Sequence, residues 1–470
     1  MTERKDIIII GAGPGGYVAA IRARQFGKSV ALIEGDQLGG ICLNRGCIPS
    51  KALLSVTRLL SRVRQANRYG VDLSVNGVDI AKLDEWKNGI VKRTRDGLRF
   101  LMTSNKVDII PGMAKLLDSK TVGVKSADGT EKLVQADNII IATGSSPRLV
   151  PGLAFDGKRV LSPEQVMADI SIAPSKIVIL GGGVIAAELA GICRSLGGRV
   201  TLVVRSEVLR RFDKDIRSIC VSSLRSAGVE IVTGAELENV EDSGNSFRLR
   251  FKQANQSLSI EADRVIVAVG RIPNTSGLGL KETGVTLDSG GCIAVNDKKQ
   301  TSVPGIYAIG DVIGAPLLAH KASAEGKYAA ELISGAAARL PRYIPHVVFS
   351  ACEAASVGLT EDEARAQTDV KIGYFPFPAL GAAIASDNTS GFVKLIADPS
   401  NDRIMGVHVA GEGAAELIGQ AVLALEAGVK VSDFAGVMRP HPTISEAFTE
   451  AALDVYSEAM HFFRAQKRAN

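Results

Sequence analysis

Aromatic residues are scarce in this chain, at 5% of 470 residues with a single Trp, whereas Gly numbers 49. That pairing disfavours an aromatic-rich sandwich and suits an α/β architecture with many tight turns. Cysteine is also sparse. Six in a chain of this length do not make a disulfide scaffold, and four of them (Cys193, Cys220, Cys292, Cys352) stand alone. No apolar run approaches 18 residues, which argues against a membrane span. The opening MTERKDIIII passes from charge straight into a short apolar run, without the h-region or cleavage site of a signal peptide. The net charge is only +5, and no Lys/Arg block or basic stripe with interleaved aromatics stands out, so nucleic-acid binding has little support. The expectation is a cytoplasmic protein that engages neither membrane nor nucleic acid, with about three domains for its length.

What is present is a repeated signature. The apolar run Asp6 to Ile10 leads into Gly11-Ala-Gly13-Pro-Gly-Gly16, an amphipathic helix to about Phe26 and a strand from Val30 to Glu34. The pattern recurs as Lys176 to Leu180, Gly181-Gly-Gly183-Val-Ile-Ala186, a helix to about Leu196 and a strand from Val200 to Val204. Each is a strand–Gly turn–helix–strand unit of the dinucleotide-binding type. A lone Gly turn reads equally well as a tight turn only; two copies in the required context point to two dinucleotides. The first Gly permits the turn, the second lets backbone approach a pyrophosphate, and the third position lets helix and strand pack closely. Further buried strands end in turns at Thr143-Gly144, Gly270 and Gly310-Asp311. From about 345 alternating segments such as 391–397 and 404–409 suggest an antiparallel sheet, followed by helices from Ala414 to about Ala427 and from Ser445 to the C-terminus. The fold class is therefore α/β, with two Rossmann-like domains and a C-terminal α+β domain. The expected boundaries are 1–148 and 275–344 for the first nucleotide domain in two parts, 149–274 for the second, and 345–470 for the last.

Counting separates the two nucleotide sites. Twenty-three residues after Gly11 stands Glu34, an acid able to accept from a ribose diol, so the first unit suits an unphosphorylated adenosine. The same count from Gly181 reaches Val204, which accepts nothing, and Arg205, Arg210 and Arg211 follow. Guanidinium groups pair bidentately with phosphate, which favours NADP(H) over NAD(H) in the second unit. The alternative is that these arginines are solvated charges on a loop leading into a helix.

In a reducing cytoplasm the close pair Cys42 and Cys47 is better explained as redox-active or metal-binding than as structural. No second metal-ligand pair lies nearby, so no metal is expected. Gly46 allows the backbone to distort between the cysteines, and Pro49 suits the first turn of a helix beginning near Cys47, whose dipole favours thiolate there. Lys51, four residues on, shares that face.

The stretch Gly39-Gly-Ile-Cys42-Leu-Asn-Arg-Gly-Cys47-Ile-Pro49-Ser-Lys51 resembles the redox-disulfide segment of the pyridine nucleotide-disulfide oxidoreductases, and within them the dihydrolipoamide dehydrogenase branch. His441-Pro442-Thr-Ile-Ser445-Glu446 is similar to that branch's C-terminal signature, and Gly310-Asp311 with Leu318-Ala319-His320-Lys321 is similar to the family's second flavin segment. The resemblance covers essentially the whole chain. It implies FAD held by Gly11, Gly13, Gly16, Glu34, Lys51, Thr143, Gly144, Gly310, Asp311 and Ala319, and a nicotinamide nucleotide held by Gly181, Gly183, Ala186, Arg205, Arg210 and Gly270. It also implies that Cys47 is the sulfur beside the flavin, that Cys42 exchanges with substrate, and that Lys51 and Glu188 form an ion pair by the flavin. Val184, at the variable turn position, offers little steric gate.

His441 is the base candidate, oriented by Glu446, because thiol–disulfide exchange needs a proton removed and returned near neutral pH. His320, His346, His408 and His461 are given no catalytic role. In this family the His–Glu pair reaches the neighbouring subunit's disulfide, so a homodimer acting on dihydrolipoamide or a lipoyl-bearing protein is implied. Two departures stand out. Ala186 and Arg205 look like the NADPH-using glutathione reductase branch, and Cys352 replaces a common Pro. A reductase of another disulfide and a flavoprotein scaffold are the alternative functions.

Overall fold

In the computed structural model, which describes residues 3–254, 256–350 and 352–463, the opening isoleucine run is the centre of a parallel sheet. The strand Glu3–Ile10 lies between Val30–Glu34 and Glu131–Ile141, with Asp108–Pro111 beyond the former and Ile306–Ala308 beyond the latter, all parallel. Side chains on a strand alternate faces, and here both faces are buried. Ile8 and Ile10 enter a core with Val122, Val134 and Ile141, while Ile7 and Ile9 enter another with Ala19, Ala23, Met102 and Ala330. An uninterrupted apolar run is what such a strand requires. The antiparallel strands Met113–Leu116 and Thr121–Lys125 complete this sheet.

The chain divides into two compact units. The first comprises 1–157, 161–172 and 269–340; the second comprises 158–160, 173–268 and 341–470. Within the second unit a parallel sheet runs Glu230–Thr233, Arg199–Val204, Lys176–Leu180, Arg264–Val267. The same unit contains the antiparallel sheet expected after 345, ordered His346–Phe349, Glu353–Gly358, Arg403–Ala410, Phe392–Asp398, Lys371–Pro376. Ala414–Ala427 and Glu446–Asp454 are helices, and Ile418, Ala421, Phe448 and Ala451 from them join the sheet's apolar core. The last helix ends at Asp454 instead of reaching the C-terminus. Its own Glu450 carboxylate accepts from the backbone N–H groups of Met460 and His461, which folds the following segment back; residues 464–470 lie outside the described residues. Among the described residues no helix is long and apolar enough to cross a membrane.

The second unit buries a charge cluster. Lys394, 1% exposed, reaches Asp213 at 2.9 Å and Asp215 and Glu361 at 2.7 Å. Arg365 and Lys214 also pair with Glu361, so three cations meet three carboxylates. His408 completes the group, bonded to Ser356 and the Leu359 carbonyl, and burial pushes its ring towards the neutral form. Burial works against Glu361 ionising, yet Lys394 and Arg365 outweigh it and hold the carboxyl down at about 2. Because the folded value lies below the ordinary one, the stability that Glu361 contributes is present above pH ~4.5 and is lost as pH falls towards 2. Removing the lysine leaves Asp213 and Asp215 without their ammonium partner, while Glu361 keeps Arg365 and Lys214: Lys394→Met is expected to cost about 3–5 kcal/mol in denaturant unfolding at pH 7, with the loss shrinking as acid protonates the carboxylates.

Candidate functional site

The two Gly turns sit where the count placed them, and their glycines are of different kinds. Gly11 has φ +100°, and a Cβ there would lie 2.4 Å from the Ala142 carbonyl oxygen. A Cβ at Gly16 would lie 1.8 Å from the Gly11 carbonyl oxygen, so only Gly lets the helix Pro14–Gln25 start against this strand. Gly13 and Gly183 differ: φ is −69° and −82°, and a Cβ would meet nothing within 4 Å. Neither backbone geometry nor packing requires glycine there. A phosphate chain lying close to backbone does, and each turn opens a helix whose first N–H groups face that space. The cradles therefore fit dinucleotides. At the third position of the second turn Ala186 is fully buried.

Glu34 ends its strand with both carboxylate oxygens engaged, accepting from Ala12 N–H at 2.6 Å and Asp36 N–H at 2.8 Å. Burial raises its pKa. Each oxygen retains a lone pair for a ribose hydroxyl. Thr143 donates to the Asn274 carbonyl at 2.8 Å, while the Asn274 amide returns a 2.8 Å bond to the Thr143 carbonyl. Gly144, at φ +71°, has open space where a Cβ would be. Asp311 accepts from Ser145 Oγ at 2.6 Å, and Arg271 clamps Ser145 while pairing with Glu164 at 2.5 Å. The Gly310 N–H donates to Glu325, and buried Lys321 donates to the Gly310 and Gly314 carbonyls, fixing the turn ahead of the helix that Ala319 begins.

The cysteine segment is two helices, Gly40–Arg45 and Cys47–Gln65, broken at Gly46 (φ −139°, ψ −106°). Cys42 lies on the first, and Cys47 is the first residue of the second, at its positive dipole end. Both are half-buried thiols here. The segment is bolted to the first nucleotide turn: Gly39 N–H donates to the Ala12 carbonyl at 2.9 Å, and a Cβ on Gly40 would lie 2.8 Å from the Gly13 Cα. Buried Asn44 donates to the Leu38 and Gly40 carbonyls and holds this turn. The Cys42 thiol is hydrogen-bonded to Cys47; that bond, burial and negative charge on Cys47 all raise its pKa, while Lys51 works the other way. Tyr17 packs in the same cluster as Cys42 and Ile48, and burial and the two sulfurs raise its pKa.

In the second unit His441 Nδ1 lies 2.8 Å from Glu446 Oε1, and Glu446 Oε2 accepts from Thr443 N–H. Although burial opposes it, the Thr443 amide and His441 keep the Glu446 carboxyl below its ordinary value. An ionised carboxylate only accepts, so the ring proton sits on Nδ1 and Nε2 is free to act as a base. The His441 side chain is 78% exposed. Glu188 is buried on the helix Val184–Ser195 and accepts from Phe349 N–H at 3.0 Å. Arg205, Arg210 and Arg211 are exposed on the loop leading into the helix Lys214–Ser226. Gly270 belongs to the first unit, with its carbonyl accepting from Arg148 N–H. Cys352 is buried, and burial pushes its thiol up to about 11; nothing in the structure explains why it replaces Pro.

Sequence reasoning missed Tyr17, Asn44, Ser145, Glu164, Arg271 and Asn274. Asn44 and Arg271 fall inside the motifs that drew attention, but no spacing rule marks an amide or guanidinium that ties a turn. His461, given no catalytic role from the sequence, has its Nδ1 2.8 Å from Glu450, one helical turn beyond Glu446. The glycine contrast is testable. Gly16→Ala should destabilise the flavin-free protein by about 1–3 kcal/mol. Gly13→Ala should change that stability by less than about 1 kcal/mol while weakening FAD binding, titrated by fluorescence, at least about tenfold.

Comparison with known proteins agrees with this geometry. Residues 5–326 match the family described as pyridine nucleotide-disulphide oxidoreductase, and residues 344–452 match that family's dimerisation domain. Over 460 residues the chain is 39% identical to a dihydrolipoyl dehydrogenase of Thermus scotoductus, covering 97% of this chain and 98% of that protein. It is 40% identical over 450 residues to that of Geobacillus stearothermophilus, covering 95% of each. The crystal structure of LpdA from Mycobacterium tuberculosis matches with a TM-score of 0.89 at 27% identity, over 97% of this chain and all of that one. With two dinucleotide cradles and a cysteine pair fastened to one of them, the chain belongs to the pyridine nucleotide-disulfide oxidoreductase family and is a flavoprotein disulfide oxidoreductase.

Proposed function

We propose that the chain is a dihydrolipoyl dehydrogenase working as a cytoplasmic homodimer, moving electrons from dihydrolipoamide or a lipoyl-bearing protein to a nicotinamide nucleotide, NADP(H) in preference to NAD(H). The observation that carries this reading is the anchoring of the cysteine helices on the Gly11–Gly16 turn, which puts two thiols against a dinucleotide cradle. The names of the relatives and the match to a dimerisation domain support it. The first nucleotide domain is assigned to 1–148 and 275–344, the second to 149–274 and the interface domain to 345–470.

From the disulfide state, a substrate thiolate attacks Cys42, the Cys42–Cys47 bond breaks, and Cys47 leaves as a thiolate held at its helix N-terminus. The second substrate thiol loses its proton to His441 Nε2 and attacks the substrate sulfur bonded to Cys42. The substrate closes its own disulfide and Cys42 leaves. Glu446 keeps the ring oriented and stabilises its charge once the proton has arrived. FAD, held by Gly11, Gly13, Gly16, Glu34, Thr143, Gly144, Gly310, Asp311 and Ala319, supplies two-electron acceptance from the dithiol and hydride exchange with the nicotinamide. Lys51 and Glu188 are assigned to an ion pair beside it. Gly181, Gly183, Ala186 and Gly270 would shape the nicotinamide nucleotide site, and Arg205 and Arg210 would meet the 2′-phosphate. Their exposure, and the absence of an acid at Val204, support that choice.

Two measurements test this. Cys42→Ser, Cys47→Ser and His441→Gln should each lower dihydrolipoamide oxidation, the cysteine variants by at least about 10³-fold, while nicotinamide-driven ferricyanide reduction persists; full turnover in either cysteine variant would overturn the assignment. Arg205→Glu should raise the KM for NADP(H) about 10- to 100-fold, the loss of a charge-assisted bond worth about 1.5–3 kcal/mol, and leave NAD(H) unaffected or improved.

A further inference from the structure

Arg439 is a half-buried guanidinium that the chemistry above does not use. Its Nη1 donates to the carbonyls of Phe434 and Val437, each at 3.2 Å, and to Thr449 Oγ1 at 2.5 Å. Its Cζ lies 4.6 Å from the Phe434 ring centroid and 5.9 Å from that of Phe448. Nε is buried without a hydrogen-bond partner, and among the described residues no carboxylate lies within ion-pair distance of Arg439. Burial lowers its pKa to about 10. An arginine held this way is costly for the fold, because its charge is desolvated and uncompensated by an anion. Its attachments are specific. Arg439 precedes His441 by two residues, and Thr449 follows Glu446 by three on the helix Glu446–Asp454. Val437 and Met438, just before Arg439, have side chains that are 50% and 95% exposed and have little packing of their own.

We propose that Arg439 is a positioning residue for the His441–Glu446 pair. It staples the loop that carries the imidazole to the helix that carries the carboxylate, so the 2.8 Å contact is held before substrate arrives. This inference rests on the reading of His441 as the thiol base. Without the staple, Thr443–Ser445 remain bonded to the first turn of that helix, but among the described residues 436–442 keep only the His441–Glu446 contact itself as a side-chain tie to it, so the imidazole can drift from its orienter.

The test uses FAD-loaded protein and two reactions. Dihydrolipoamide oxidation needs the base, whereas nicotinamide-driven ferricyanide reduction does not. Arg439→Met should lower the first about 10- to 100-fold, the scale of a misplaced catalytic group, and leave the second within about twofold. Arg439→Lys should recover part of the loss, since an ammonium can reach one carbonyl but cannot stack as a plane. Thr449→Val removes a single anchor with little change in shape, and should give a smaller loss of the same kind; it decides the matter if Arg439→Met does not fold. With only five histidines in the chain, ¹⁵N-histidine spectra should show the His441 proton leaving Nδ1 for a mixture of tautomers in the variants. The proposal is overturned if dihydrolipoamide oxidation is unchanged, if both reactions fall together, or if the tautomer stays fixed. If His441→Gln retains full dihydrolipoamide oxidation, the base reading fails and takes this proposal with it; if only the Arg439 and Thr449 variants are silent, the base reading stands alone.

Discussion

One short contact holds the site in the first unit together: the Gly39 N–H on the Ala12 carbonyl, with Gly40 pressed on Gly13. Reactive sulfurs are useful only if electrons can pass from them to a cofactor, and that requires a fixed distance between a redox pair and a nucleotide turn. Main chain meets main chain here, with no side chain between. Asn44 reinforces the seam from one side, and Cys47, at the start of its helix, is hydrogen-bonded to Cys42. The paired isoleucine strands and the Gly16 packing hold the turn that carries Ala12 and Gly13.

Much of this was legible from residue order. Strands Val30–Glu34 and Lys176–Leu180 and the helix Ala414–Ala427 lie where their apolar patterns put them, because each is an uninterrupted pattern bounded by Gly or charge. Cys47 at a helix start followed from Gly46 and Pro49, and the bond between His441 and Glu446 from their motif. The C-terminal helix was over-extended: apolar periodicity continues past Asp454, but the Glu450 carboxylate captures backbone N–H groups from beyond the helix end, a tertiary event no local pattern encodes. Arg271, Asn274 and Arg439 were invisible for a related reason. Their partners include main-chain carbonyls, which carry no residue identity to read, and for Arg271 a carboxylate, Glu164, that only the fold brings near.

Charge is handled in contrasting ways within the second unit. The Lys394 cluster balances each buried cation with a carboxylate, which suits a structural brace at the end of the Arg205–Asp213 loop. Arg439 is held by carbonyl dipoles and aromatic faces instead, and the Glu446 carboxylate is left for the imidazole and the Thr443 amide. Had Arg439 been given an acidic neighbour, that acid would compete with Glu446 for the same proton field.

The alternating isoleucines at the start of the chain set a phase as well as a core. Ile7 and Ile9 belong to one layer and Ile8 and Ile10 to the other, so adding or deleting one residue between Asp6 and Gly11 would exchange the contents of both layers at once and carry the whole turn about 3.3 Å along the strand axis. Swaps among Ile, Val and Leu along this stretch keep the phase, but a change in its length cannot. The strand thus acts as a ruler whose divisions are single residues, and the first nucleotide turn sits on one of its marks.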